Sequence, residues 1–301
     1  MPPPSRAPVL PLTAVAVTLV LWSSAFVAIR HLGGSFSPGS LSLGRLLVGS
    51  VALGVVLALR GGVRPTRADW PGLVVIGLLW FGVYNLALNA GERRVDAGTA
   101  AMLIQISPVL VAVLAAIFLK ERATVALGVG LLVAFAGVML ISVSTAEHGD
   151  RDPVGVVLCL VSAAAYAVSL ILQKPLVSRL PAVEVTWIAC TIGAVACLPF
   201  SGSLVHDVAA ASASDVAWVV YLGVFPTAIA FSTYAFALSS MTAGSLSVTT
   251  YLVPPITVLL SWLLLSEVPP AVAYAGGVLC LVGVAVARRR PRSPPAGRGT
   301  V

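Results

Sequence analysis

The sequence predicts an all-α integral membrane protein: ten transmembrane helices arranged as two inverted five-helix repeats, with both termini cytoplasmic. Three observations predict it. The composition is too apolar for a soluble fold, the apolar runs have the spacing of membrane crossings, and the chain repeats itself at an offset of 146 residues. Of 301 residues, 58% are hydrophobic and 10% charged, where soluble domains carry roughly 25% charged residues. Lipid solvates apolar faces that water cannot, so this composition excludes a soluble enzyme, a nucleic-acid-binding module and a disordered chain.

A helix crossing about 30 Å of hydrocarbon needs about 20 residues, and runs of that size bounded by charge, Gly or Pro are read as spans. The first, 10–29, carries Trp22, Ser23 and Ser24 and ends at Arg30; it has features of a secretory signal, but the repeat needs it as a structural unit. The second, 39–59, holds Arg45, and the third, 69–90, holds Tyr84, Asn85 and Asn89. The fourth, 97–119, contains Gln105 and Pro108, and the fifth, 124–143, carries small residues at Ala126, Gly130 and Ala134. The sixth, 153–173, contributes Tyr166, Ser169 and Gln173; the seventh runs over 182–201; the eighth, 215–237, contributes Ser232, Thr233 and Tyr234. The ninth, 243–265, contains Tyr251 and Pro254, and the tenth, 270–287, carries Ala273 and Gly277. The Pro-rich start and the basic tail 288–301 read as disordered. Cys159, Cys190, Cys197 and Cys280 all fall within spans without metal-ligand spacing, so they read as packing residues, and no metal or cofactor is expected.

Basic residues are retained on the cytoplasmic side of span ends. With the N-terminus inside, cytoplasmic segments hold Arg6, Arg60, Arg64, Arg67, Lys120, Arg122, Lys174, Arg179 and the five arginines from Arg288 to Arg298. External segments hold only Arg30, Arg93, Arg94 and Arg151. That bias favours ten spans and a multi-pass protein of the cytoplasmic membrane.

The offset of 146 aligns Asp69 with Asp215, Gly77 with Gly223, Ala97-Gly98 with Ala243-Gly244, Pro108 with Pro254, Glu121 with Glu267, Gly130 with Gly276, and Gly137 with Gly283. An offset of 144 pairs Trp22 with Tyr166 and Arg30 with Lys174. Two units follow, 1–148 and 149–301, each with five spans. An odd number makes the second enter from the opposite side, the arrangement that supports alternating access.

These features together resemble the drug/metabolite transporter superfamily, most closely its EamA-type exporters. The resemblance is carried by the Trp-Ser-Ser-Ala-Phe-Val-Ala-Ile-Arg stretch from Trp22 to Arg30, by Arg45, and by two Ala-Gly-to-Pro-to-Glu units ending in Leu119-Lys120-Glu121 and Leu265-Ser266-Glu267. It implies export of amino acids, related metabolites or drugs. The membrane-embedded Glu that the small four-helix relatives carry in their first span has no counterpart here.

Pro108 and Pro254 lie eleven residues into their spans, where a kink would leave carbonyls facing a cavity. Gln105 shares a helical stripe with Ala101, Pro108 and Ala112; Tyr251 shares one with Ser247, Pro254 and Val258. Gln105 and Tyr251 are repeat-equivalent, and they either line a substrate path or bond a neighbouring helix. Asn85 and Asn89, four apart, face a wet cavity or act as helix glue. Trp22, Tyr84, Tyr166 and Tyr234 add rings and hydroxyls to an expected central cavity suited to a small polar or zwitterionic metabolite. Arg45 either snorkels to the external surface or pairs with a substrate carboxylate or helix-end carbonyl. Trp187, Trp218 and Trp262 read as interfacial anchors.

No Gly-rich phosphate loop, His-Glu-x-x-His or nucleophile-base pair at membrane depth occurs in the sequence, so the expected activity is secondary transport rather than catalysis. An uncoupled facilitator or exchanger is the alternative; a membrane enzyme or receptor is a remote one. Expected partners are a small-molecule substrate and the bilayer, without nucleic acid, in a monomer or homodimer.

Overall fold

A computed structural model describes residues 9–62, 65–94, 103–145, 152–265 and 271–288. All regular structure among them is helical. We label the main helices α1 (Val9–Leu32), α2 (Pro38–Arg60), α3 (Trp70–Ile76, Gly77–Val83 and Tyr84–Glu92), α4 (Ser107–Phe118) and α5 (Val125–Thr145). The second half holds α6 (Pro153–Val177), α7 (Ala182–Ala196), α8 (Ala213–Leu222, Gly223–Ile229 and Ala230–Ser240), α9 (Ala243–Ser247, Val248–Leu252 and Val253–Leu265) and α10 (Ala271–Ala287).

Seven helical stretches have the length and apolarity to cross a membrane, and the pair Ala182–Ala196 and Leu198–Ala210, bent by 53°, would make an eighth. Ser107–Phe118 and Ala271–Ala287 are apolar but shorter. The sequence span 97–119 is cut because 95–102 lie outside the described residues, as do the unit boundary 148/149, Ala101, Glu267 and the tail beyond 288. The sequence span 182–201 needs correction. It ends at Ala196, before a 3-10 turn (Leu198–Phe200) that contains Pro199, and a separate helix, Ser201–Ala210, follows.

Helix starts obey local chemistry. Ser37 accepts from Ser40 N with Pro38 in the first turn, Asp152 accepts from Val154 N with Pro153 behind it, and Ser212 and Thr242 accept from Asp215 N and Ser245 N. Each side chain satisfies an amide that the helix itself leaves open.

The 146-residue offset recurs in the backbone. Gly77–Val83 and Gly223–Ile229 are both π-helical, and the helices beginning at Ser107 and Val125 correspond to those beginning at Val253 and Ala271. A widened π turn frees carbonyls, and side chains take them up. Asn85 Nδ2 donates to Phe81 O at 2.9 Å and Trp80 O at 3.2 Å, and Thr227 Oγ1 donates to Leu222 O at 2.8 Å.

Packing between the halves is exchange-related. α1 packs on α8 and α9, as α6 packs on α3 and α4; α2 packs on the π turn of α8, as α7 packs on that of α3. α2 also meets α7, and α5 meets α10. The α5/α10 contact is close because it is built on glycines: a Cβ on Gly130 would lie 2.5 Å from Gly283 O, and one on Gly276 would lie 2.6 Å from Gly137 O. The residue of α10 at this contact is therefore Gly276, not Gly277, which looks toward Pro255.

Polar contacts gather at two ends of the bundle. At one, Asp215 meets His31 at 3.3 Å and Ser35 at 3.1 Å, Asp207 accepts from Ser37 N at 2.9 Å, and Arg94 pairs with Asp152 at 2.9 Å. At the other, Asp69 pairs with Arg179 and accepts from Thr66 N at 2.8 Å. There Lys174 Nζ donates to Leu238 O and Met241 O, both at 2.6 Å, while Glu121 accepts from Ala243 N at 2.8 Å and Gly244 N at 3.1 Å.

Candidate functional site

The middle of the bundle is a cluster of rings from four helices. Trp22 of α1 lies 4.8 Å from Tyr234 and 5.4 Å from Phe231 of α8, centroid to centroid. Trp80 of α3 meets Tyr166 of α6 edge-on at 5.2 Å and Phe231 at 5.2 Å, while Phe81 lies 4.7 Å from Phe231. Tyr84 adjoins Tyr166 at 6.5 Å. Tyr166 and Tyr234 share a hydroxyl hydrogen bond of 2.6 Å within the second half, and the ring contacts of Trp22 and Trp80 with them join the two halves at the centre.

The sequence-predicted Trp22, Tyr84, Tyr166 and Tyr234 thus come together, but around packed rings instead of an open lining. Trp80, Phe81 and Phe231, which complete the cluster, went unnoticed in the sequence. In a span that is apolar on every face, periodicity does not say which residues face inward. One polar atom in the cluster has no partner among the described residues: the indole N–H of Trp22.

Arg45 does not snorkel. It is 6% exposed, and its Nε donates to Thr227 Oγ1 at 3.0 Å, inside the π turn of α8. The same Oγ1 donates to Leu222 O, so Thr227 passes the cation's hydrogen bond on to a carbonyl of its own helix. A guanidinium is a planar fork of donors, a shape that matches a carboxylate.

The amides serve helix contacts in this conformation. Asn85 is turned back onto its own π turn, Asn89 Nδ2 donates to Ser42 Oγ of α2 at 2.9 Å, and Gln105 Nε2 donates to Thr250 O of α9 at 3.2 Å. Tyr251 lies apart from the ring cluster. It is fully buried among Ala134, Val138, Cys280 and Val284 of α5 and α10, 6.4 Å from Phe135, and its hydroxyl has no partner among the described residues.

Pro108 and Pro254 do not kink continuous helices. Each stands in the first turn of a helix that begins after a break, Gln105–Ile106 before α4 and the 3-10 turn Val248–Leu252 within α9. A first-turn proline costs no hydrogen bond, since that N–H has no partner within the helix. The break exposes carbonyls instead: Ser23 of α1 donates to Val253 O at 3.2 Å, next to Pro254.

Three further features adjoin these groups. Ser169 and Gln173 continue the Tyr166 face of α6, fully buried. A cavity of about 350 Å³ opens between α1 and α8 beside Ser24, Trp218 and Tyr221, with Ser24 and Tyr221 hydrogen-bonded at 2.7 Å. At the Glu121 end, Lys174 holds the C-terminus of α8 and Glu121 the N-terminus of α9, each charge set against the helix end it complements.

The chain can be compared with known proteins on this basis. The model of the EamA-like transporter family matches it twice, over residues 10–143 and 153–289. It is 38% identical over 291 residues to a probable terminal-alkyne amino-acid exporter of Streptantibioticus cattleyicolor, covering 95% of this chain and 97% of that one. It is 30% identical over 264 residues to the uncharacterized transporter YdfC of Bacillus subtilis, covering 88% and 86%. A crystal structure at 20% identity has the same fold, with a TM-score of 0.75 over 92% of this chain and 95% of that one.

Proposed function

The chain belongs to the EamA-like transporter family, and on that premise we propose that it is a secondary transporter of the cytoplasmic membrane exporting a small polar metabolite of the amino-acid class. It works by alternating access of two inverted halves, 1–148 and 149–301, with ten crossings and both termini in the cytoplasm. The observation that carries this reading is the exchange-related packing: every main contact between the halves has a counterpart with the halves swapped. A bundle of this kind has two equivalent closed ends, and opening one while shutting the other exchanges the conformations of the halves. The kinship with a probable terminal-alkyne amino-acid exporter of Streptantibioticus supports the amino-acid class.

On this reading the ring cluster is the closed centre, and separation of Trp22 from Tyr234 and of Trp80 from Tyr166, contacts between the halves, admits the substrate. Arg45 gives up Thr227 to take a substrate carboxylate, and Trp22 and Tyr84 bound the site from either side. Asn85, Asn89 and Gln105 hold the helices that line it; Tyr251, Pro108 and Pro254 mark the broken turns at which α4 and α9 move. Lys174 and Glu121 latch the cytoplasmic end. The protein moves its substrate without changing it chemically.

An exchanger without proton coupling is favoured over a proton antiporter by the position of the carboxylates. Asp69, Glu121, Asp152, Asp207 and Asp215 are each engaged at helix ends or loops, and Glu184, though buried, also stands at a helix end, in the first turn of α7. Flux of labelled L-amino acids and propargylglycine into protein-containing vesicles tests the proposal. Saturable flux that responds to counter-substrate and ignores a pH gradient is expected; no flux of any compound in either direction would contradict it.

A further inference from the structure

Ser169 and Gln173 lie three and seven residues beyond Tyr166 on α6, hence on one face of the helix, leading from the ring cluster toward Lys174. Their exposures are 0% and 1%, and neither Ser169 Oγ nor Gln173 Oε1 has a hydrogen-bond partner among the described residues. Several buried hydroxyls bond back to their own helix, as Ser162 Oγ does to Leu158 O at 3.0 Å, Thr18 Oγ1 to Ala14 O at 2.9 Å and Thr186 Oγ1 to Ala182 O at 2.8 Å, whereas Ser232 Oγ and the Tyr251 hydroxyl, like this pair, have no partner among the described residues but stand singly. An unmet acceptor surrounded by hydrocarbon is costly, so two on one face point to a visiting donor.

An amide oxygen only accepts, and a serine hydroxyl can accept, so a visitor that brings donors to both satisfies the pair. A primary ammonium does so with three donors from one atom. Lys174, the neighbouring cation, does not fill this role, because its Nζ is held by Leu238 O and Met241 O. At the offset of 144, the counterparts of Ser169 and Gln173 on α1 are Ala25 and Ile29, which accept nothing. The acceptor pair therefore belongs to one half only.

We propose that Ser169 Oγ and Gln173 Oε1 form the subsite for the primary ammonium of the substrate, so that the transporter selects free amines over their N-acylated forms. The subsite rests on the transport reading above and adds a substrate class to it. Recognition of the amine occurs on the α6 side, where the pair is reached from the Lys174 end. On α1 the two equivalent positions, Ala25 and Ile29, offer the ammonium no acceptor, which favours release there.

The test uses the full chain in vesicles, with labelled propargylglycine and N-acetylpropargylglycine as probes, comparing wild type with Gln173→Leu and Ser169→Ala. Wild type is expected to prefer the free amine by at least about tenfold in KM, Gln173→Leu to bring the preference within about twofold, and Ser169→Ala to lie between. Melting of the purified variants in detergent supplies the second readout. Gln173→Leu removes an unmet polar group and is expected to melt no lower than wild type. Wild-type discrimination in both variants would overturn the subsite while leaving transport intact. A lower melting temperature with unchanged discrimination would assign Gln173 a structural role. No flux of either probe by wild type would overturn the transport reading and the subsite together.

Discussion

Two crossings in this molecule share a backbone and differ in chemistry. Where α2 crosses α8, a Cβ on Gly49 would lie 3.1 Å from Gly223 O, and one on Gly223 would lie 2.9 Å from Arg45 O. Where α7 crosses α3, the corresponding values are 3.1 Å from Gly193 to Gly77 O and 2.8 Å from Gly77 to Ala189 O. The first crossing carries the buried Arg45–Thr227 hydrogen bond; at the same positions the second carries Ala189 and Phe81, both fully buried. Duplication supplied a common frame, and the side chains then broke its symmetry. A buried cation has been kept at one crossing, where a threonine within a π turn receives it, and the other has become part of the ring cluster.

The comparison can be broken most severely by copying the charge. Ala189→Arg would set a guanidinium against Phe81 with no hydroxyl to receive it, at a cost of about 2.5–3.5 kcal/mol for an Arg at membrane depth. Loss of folded protein in size-exclusion chromatography is expected; a well-folded variant would mean the two crossings are more alike than their side chains indicate. The frame is tested by Gly49→Ala and Gly193→Ala, each forcing a methyl group into a close contact, at about 1–3 kcal/mol. Similar drops in melting temperature are expected, and a loss confined to one variant would deny the common backbone. The smallest stability effect belongs to Arg45→Met, where Thr227 keeps its bond to Leu222 O and the loss is about 1–2 kcal/mol. Transport should nonetheless fall at least about tenfold, a split between stability and flux that a structural cation would not give.

How far this organisation can be read from the sequence depends on the kind of feature. The helical membrane class follows from composition, and the offset of 146 singles out Gly77 and Gly223, the positions where both π turns begin. The turns themselves leave no pattern, because widening by one residue does not alter composition. Stripe arguments assume about 100° per residue, whereas the 3-10 turn Val248–Leu252 advances about 120°. That difference carries Tyr251 off the Pro254 stripe and toward Phe135. Gln105 lies in the turn that precedes α4, outside any regular stripe, and its amide reaches Thr250 O. The partner of Arg45 stands 182 residues away, and only the folded chain brings Thr227 to it.

The central claim is that the two ends of the bundle open in alternation, and it is tested most directly by paired distance measurements between spin labels. One pair, Arg94→Cys with Ser214→Cys, reports on the Asp215 end; the other, Arg122→Cys with Ser240→Cys, reports on the Glu121 end. All four sites are exposed, and the native cysteines are buried. Added substrate is expected to lengthen one distance while shortening the other, with the two open populations mutually exclusive. Distances that rise together, or that stay fixed at both ends while transport proceeds, would contradict the account.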